Sequence, residues 1–268
     1  MLFERKEIPD MLHPTLAKPA VCRTEDQWRS AINRNRAIAA VSDLGGAIQI
    51  YKGRYFWPMQ PNHPGNDIDI ETIAHALAVM PRWGGQTALI GSNEDGDPLR
   101  YSVAQHSVHV ADICVLNRRK LLPGWDWDKM PSPAALALLH DAPEGYGFAD
   151  LVRPVKYSVE GYKENENALM HQIAVDLDVP VNLGISQIVK MVDDMMVFLE
   201  RDEMMGPPVV PYTNEHQHPG ITIHDVVPDF YVWDAKEAKD KFLRRWEMIQ
   251  ANDGEYEPLE YVNRGYRL

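Results

Sequence analysis

The run Ala134-Ala135-Leu136-Ala137-Leu138-Leu139 leads directly into His140 and Asp141, and this junction constrains the fold more than any other feature of the chain. An uninterrupted apolar run suits a helix buried on all sides, and an imidazole and a carboxylate closing such a helix lose their hydration. Something must offset that desolvation. A shared divalent cation would do so, because both groups are metal ligands. A capped helix end at His140, with Asp141 paired to a surface base, would do so as well, and the dipeptide alone favours that reading.

Helical periodicity extends through most of the chain. Ile70, Ile73, Ala74, Leu77 and Met80 follow Asp69 at spacings of three and four, which predicts a helix that Pro81 stops, with Arg82-Trp83-Gly84-Gly85 in a loop. A second helix over 103–118 places Val103, His106, Val110, Ile113 and Cys114 on one face, so His106 points inward. Ser132 can cap a third helix, with Pro133 at its first position, running through His140-Asp141 to about Glu144. Further helices are expected over 25–41, 160–177, 184–204 and 235–249. In the 184–204 helix, Asp193 lies at the edge of the stripe Ile188, Val192, Met195, Met196 and Leu199. Strand signal is confined to a hairpin, 47–51 with 54–57 around Lys52-Gly53, and a short piece at 220–227 inside a proline-rich excursion. The expected fold is therefore all-α with a short β-hairpin and that irregular excursion. It reads as one domain overall: an N-terminal extension (1–46), a core (47–204), then the excursion and a C-terminal helix docking on the core (205–268).

Composition narrows the function. A chain of 268 residues that is 45% hydrophobic can build a packed core. Its net charge of −12 and short basic runs make polymeric nucleic acid a poor partner, while a small anion remains compatible with a metal and a few local bases. Only Cys22 and Cys114 are present, which excludes a disulfide scaffold. The charged first ten residues lack an apolar signal core and no stretch is long enough to span a bilayer, so a soluble, cytoplasmic setting is expected, with no membrane partner.

Separated helices thus each offer inward-tending ligands: His106, then His140 with Asp141, then Asp193. In the order H…HD…D they resemble the HD-domain phosphohydrolases, helical metal-dependent enzymes. Arg82-Trp83, Gln105-His106-Ser107, His140-Asp141-Ala142-Pro143-Glu144, Asp150, Pro154-Val155-Lys156 and Val192-Asp193 resemble the bacterial 5′-deoxynucleotidase branch, and residues 68–77 are similar to phage dATP triphosphohydrolases. The resemblance covers roughly residues 47–204. It implies an HD-domain fold and one divalent ion (Co, Mn, Zn, Fe, Ni or Mg) held by His106, His140, Asp141 and Asp193. It further implies that Glu144 positions or deprotonates the attacking water and Asp150 assists the departing ester oxygen. Arg82 would hold the phosphate, Trp83 would pack against the sugar, and Lys156 would add positive charge nearby. Independently of the resemblance, Glu144 shares a face with His140 and Asp141 if the helix continues through Pro143.

This chain departs from the family pattern at Gly84-Gly85-Gln86, where relatives carry a histidine, and in one extra residue between Glu144 and Asp150. Asp194 competes with Asp193 as ligand, although alignment of Val189-Lys190 favours Asp193. Trp83 reads equally as a core aromatic, and His109 as packed or solvated. His216, His218 and His224 match no zinc spacing and read as loop residues. The expected activity is hydrolysis of small nucleotides, foremost deoxyribonucleoside 5′-monophosphates. The alternatives are a deoxynucleoside triphosphate triphosphohydrolase and a nucleotide-binding protein with a decayed site. An oxygenase with a two-iron centre would want additional histidines that the chain does not show. Relatives are often homo-oligomers, which leaves a homo-oligomer open here.

Overall fold

The computed structural model describes residues 46–93, 95–206, 223–227, 230–252 and 256. The helix expected over 25–41, together with Cys22, His216 and His218, lies outside the described residues. Within them the architecture is mainly helical, with one two-stranded hairpin. Strands β1 (Ile48–Ile50) and β2 (Arg54–Phe56) pair antiparallel, Ile48 opposite Phe56.

Local chemistry sets the helix starts. Helix α1 (Ile70–Val79) begins where the Asp69 carboxylate accepts from the Thr72 N–H; the same carboxylate also pairs with the buried Arg54 guanidinium. It ends at Met80, whose extended backbone leads into Pro81. Helix α2 (Val103–Leu121) starts at a Ser102 cap and is buried on every side from Val103 to Val115, which makes it the central helix. Helices α3 (Ala134–Leu139) and α6 (Leu183–Met204) pack on it, and α8 (Ala235–Ala251) closes a further side. Short α4 (Arg153–Ser158), which no apolar periodicity announces, precedes α5 (Tyr162–Asp176).

Two expectations are corrected. The third helix does not run to Glu144: it stops at Leu139, and residues 142–146 form a separate 3-10 turn. Pro143 explains the break, because it has no N–H for the Leu139 carbonyl and its ring would collide with that carbonyl in a continuous helix. The expected strand over 220–227 is also absent in its described part, where Ile223–Val226 form a single helical turn, α7, carrying His224. The 142–146 turn then lies against α1 so closely that a Cβ on Gly145 would sit 3.3 Å from the Ile73 Cα. That approach brings the end of α3 down onto α1.

The C-terminal segment is tied in by polar groups as well as by Phe242 and Ile249. Gln105 donates to the Tyr231 carbonyl at 2.6 Å and accepts from the Trp233 N–H at 3.0 Å. Fully buried Asp112 accepts from Arg245 and from the Tyr256 hydroxyl, both at 2.7 Å. Among the described residues, no helix is long and apolar enough to cross a membrane.

Candidate metal centre

Helix α2 delivers His106, the end of α3 delivers His140 and Asp141, and α6 delivers Asp193. Their donor atoms converge. The two Nε2 atoms stand 3.2 Å apart, Asp141 Oδ2 is 3.3 Å from His140 Nε2, and Asp193 Oδ1 is 3.4 Å from His106 Nε2. Among the described residues, His106, His140 and Asp141 form a group whose donor atoms all lie within 4.8 Å of one another and could hold a metal ion. Asp193 Oδ1 is close to both imidazoles, at 3.4 and 3.9 Å, but the Arg82 guanidinium bridges the two carboxylates, meeting Asp141 at 3.2 Å and Asp193 at 3.3 Å. Asp194, the competing residue, is half-exposed and pairs with Arg153 and Lys190 instead.

The outer nitrogens of the histidines test whether this set fits a cation. His106 Nδ1 lies 2.5 Å from Glu200 Oε1, and His140 Nδ1 lies 2.7 Å from the Ala137 carbonyl. Both partners are acceptors, so each ring keeps a proton on Nδ1 and turns its Nε2 inward. Once the His106 Nε2 gives up its proton, as ligation requires, two lone pairs at this distance would repel unless a positive charge lay between them. Ligands at about 2.1 Å from one ion stand roughly 3.0–3.4 Å apart, so the observed spacing fits.

Charge balance points the same way. Asp141, Glu144, Asp150, Asp193 and Glu200 crowd around the Arg82 guanidinium, which lies 3.7 Å from Asp150 Oδ1 and 3.6 Å from Glu200 Oε2. Burial and the Arg82 charge push the His106 pKa down, but Glu200 and Asp193 outweigh them and hold it up at about 9. Burial raises Asp141 and Asp193, yet the histidines and Arg82 carry both below the usual carboxylate range. Glu144 moves the other way: burial, then Asp141 and Asp150, raise it well above its ordinary value, and its Oε2 has no hydrogen-bond partner. Asp150 is raised too, first by burial, with Arg82 opposing and Asp141 adding to the rise.

The remaining expected residues are placed as follows. Arg82 is 9% exposed, a buried rather than a surface cation. Trp83, at φ 60°, occupies a left-handed conformation that costs a non-glycine residue of order 1–3 kcal/mol. Its backbone N–H donates to Asp150 Oδ2 at 3.0 Å and its indole N–H to Glu200 Oε2 at 3.3 Å, so it anchors two acids rather than serving as a plain core aromatic. Burial lowers the Lys156 pKa, but its pairing with Glu166 at 2.6 Å outweighs that and raises it, with the charges of Asp141 and Glu144 adding to the rise. His109 is packed, beside Tyr101, Phe230 and Trp233. His224 faces Glu203 at 3.4 Å.

Sequence reasoning overlooked Glu200. Fully buried on the apolar face of α6, it touches His106, Tyr101, Trp83 and Arg82. The available signal was its position two turns after Asp193, in register with Met196, which an acid rarely takes without a buried partner.

No family model matches the chain. It is 34% identical over 143 residues to an uncharacterized protein of Rhodobacter capsulatus. That match covers 52% of this chain and 64% of the relative, less than two thirds of its length.

Proposed function

We propose that this chain is a metal-dependent phosphohydrolase of the HD-domain kind acting on small nucleotides, with deoxyribonucleoside 5′-monophosphates as the first substrate class. The observation that carries this reading is the pair of Nε2 atoms 3.2 Å apart, flanked by Asp141 and Asp193, with the Arg82 guanidinium alongside. His106, His140, Asp141 and Asp193 would hold the ion. When bound, a divalent ion makes water nucleophilic near neutral pH and neutralises charge developing on the phosphoryl oxygens.

The chain's own groups supply the rest. Arg82 can place two parallel N–H donors on a phosphate. Glu144 has an unpartnered oxygen and is kept protonated by burial, Asp141 and Asp150; once Asp141 is neutralised, it is freer to ionise and take a proton from water. Asp150, its carboxyl raised and oriented by the Trp83 N–H, suits proton donation to the departing 5′ oxygen. A triphosphate substrate is the second reading, supported by Arg153, whose guanidinium reaches the outer oxygen of Asp193 at 3.3 Å and would add charge at the rim.

A screen of nucleoside mono- and triphosphates with Mn²⁺, Co²⁺, Mg²⁺ and Zn²⁺ tests both. Inorganic phosphate from a deoxynucleoside monophosphate supports the first reading, and intact triphosphate supports the second. Nucleotide binding without turnover under every metal would leave only a binding protein.

A further inference from the structure

We infer that Glu200 is a positioning residue: it locks His106 into the tautomer that donates through Nε2 and fastens the Arg82–Trp83 turn to the same carboxylate. This inference rests on the metal-centre reading above. Its two oxygens divide the work. Oε1 takes the His106 Nδ1–H at 2.5 Å and the Tyr101 hydroxyl at 2.8 Å; Oε2 takes the Trp83 indole N–H at 3.3 Å and faces Arg82 Nε at 3.6 Å.

A fully buried carboxylate is costly unless its lone pairs are met, and here donors surround it. What they belong to gives the arrangement its meaning. A carboxylate behind a ligating imidazole fixes the ring, selects the proton's position and makes the inner nitrogen a better donor. The same carboxylate receives the side chain of Trp83, the residue whose left-handed backbone turns Arg82 toward Asp141 and Asp193. Tyr101 adds rigidity, since it precedes the Ser102 cap of α2 and its backbone carbonyl accepts from the Arg82 N–H at 2.8 Å. One buried acid therefore sets both the donor direction of the first histidine and the placement of the arginine turn.

Glu200→Gln separates this role from volume filling. Glutamine has the same shape but supplies no charge, and its amide N–H₂ confronts donors on whichever side it faces. Co²⁺ affinity of the full chain, measured by competition with a chelator, should fall about ten- to hundredfold in Glu200→Gln while far-ultraviolet circular dichroism stays at the wild-type level. Glu200→Asp should recover part of the loss. Equal Co²⁺ affinity in wild type and Glu200→Gln overturns the inference.

A second measurement needs no variant at this position and guards against a misfolded one. In the Zn²⁺-loaded wild-type chain, ¹⁵N spectra of the histidine rings, with His106 assigned through His106→Gln, should show a proton on Nδ1 and none on Nε2. The opposite tautomer overturns the inference even if metal binds. A wild-type chain that takes up neither Co²⁺ nor Zn²⁺ removes the metal-centre reading itself, a distinct failure.

Discussion

His140 and Glu144 lie within a few residues of each other yet sit in opposite electrostatic situations, and that contrast predicts different phenotypes. His140 sets its Nε2 3.2 Å from that of His106, so on the proposed reading His140→Ala should lose bound metal and activity together. Glu144 contacts none of the donor atoms by hydrogen bond and holds a spare oxygen, so Glu144→Ala should keep its metal and turn over about 10²- to 10⁴-fold more slowly. Metal content by atomic emission and phosphate release check both; equal metal loss in the two variants contradicts this division.

His109 makes a pH prediction. Burial chiefly holds its pKa at about 3 in the fold, against an ordinary value of 6.5. Below 6.5 the unfolded chain binds a proton that the folded chain refuses, so stability is lost as pH falls through the window from 6.5 to 3, at up to roughly 1.4 kcal/mol per pH unit. The stability gap between wild type and the non-titrating His109→Gln should narrow from pH 7 to pH 4.5 in urea unfolding with chelator present; a constant gap refutes the assignment. At this scale the candidate ligands were legible, because histidine on an apolar helical face is conspicuous. Glu200 was not, because an acid beside other acids near the end of a long helix reads as a solvated edge until the packing shows otherwise.

Among the elements, the break after Leu139 has the greatest consequence. A continuous helix would carry Glu144 along the face of His140 and Asp141; the 3-10 turn instead packs against α1, where Glu144 is buried with its Oε2 unpartnered. Pro143 stood in plain view in the sequence, but whether proline kinks a helix or ends it depends on what packs alongside. Gly147 closes the turn at φ 102°, and a Cβ there would lie 2.7 Å from the Ile48 Cδ1 on the hairpin. Gly147→Ala should therefore cost about 1–3 kcal/mol, through backbone strain and displacement of Ile48, seen as a lower urea midpoint with an unchanged slope. A neutral substitution would mean that the turn relaxes freely. The apolar residues at 223–227 illustrate the reverse problem: a short apolar piece has no periodicity long enough to distinguish a strand from a single helical turn.

Across the whole molecule, α2 is the organising element, and the C-terminal helix is held to it by Asp112 and Arg245. Replacing Arg245 with Met keeps an apolar stem but removes the guanidinium facing a fully buried carboxylate, which should cost about 3–5 kcal/mol. Equilibrium unfolding measures it; a cost below about 1 kcal/mol would falsify the view that this buried pair anchors α8. The sequence by itself determined the helical class, the hairpin, most helix starts and the residues able to ligate, because caps, prolines and apolar spacing act between near neighbours. Only the tertiary structure decided that Asp193 rather than Asp194 faces the histidines, that Glu200 and the Ala137 carbonyl hold both Nε2 atoms inward, and that Arg82 lies among the acids. Those are distances between groups on different helices, and they follow from how α2, α3 and α6 pack, which no local spacing encodes.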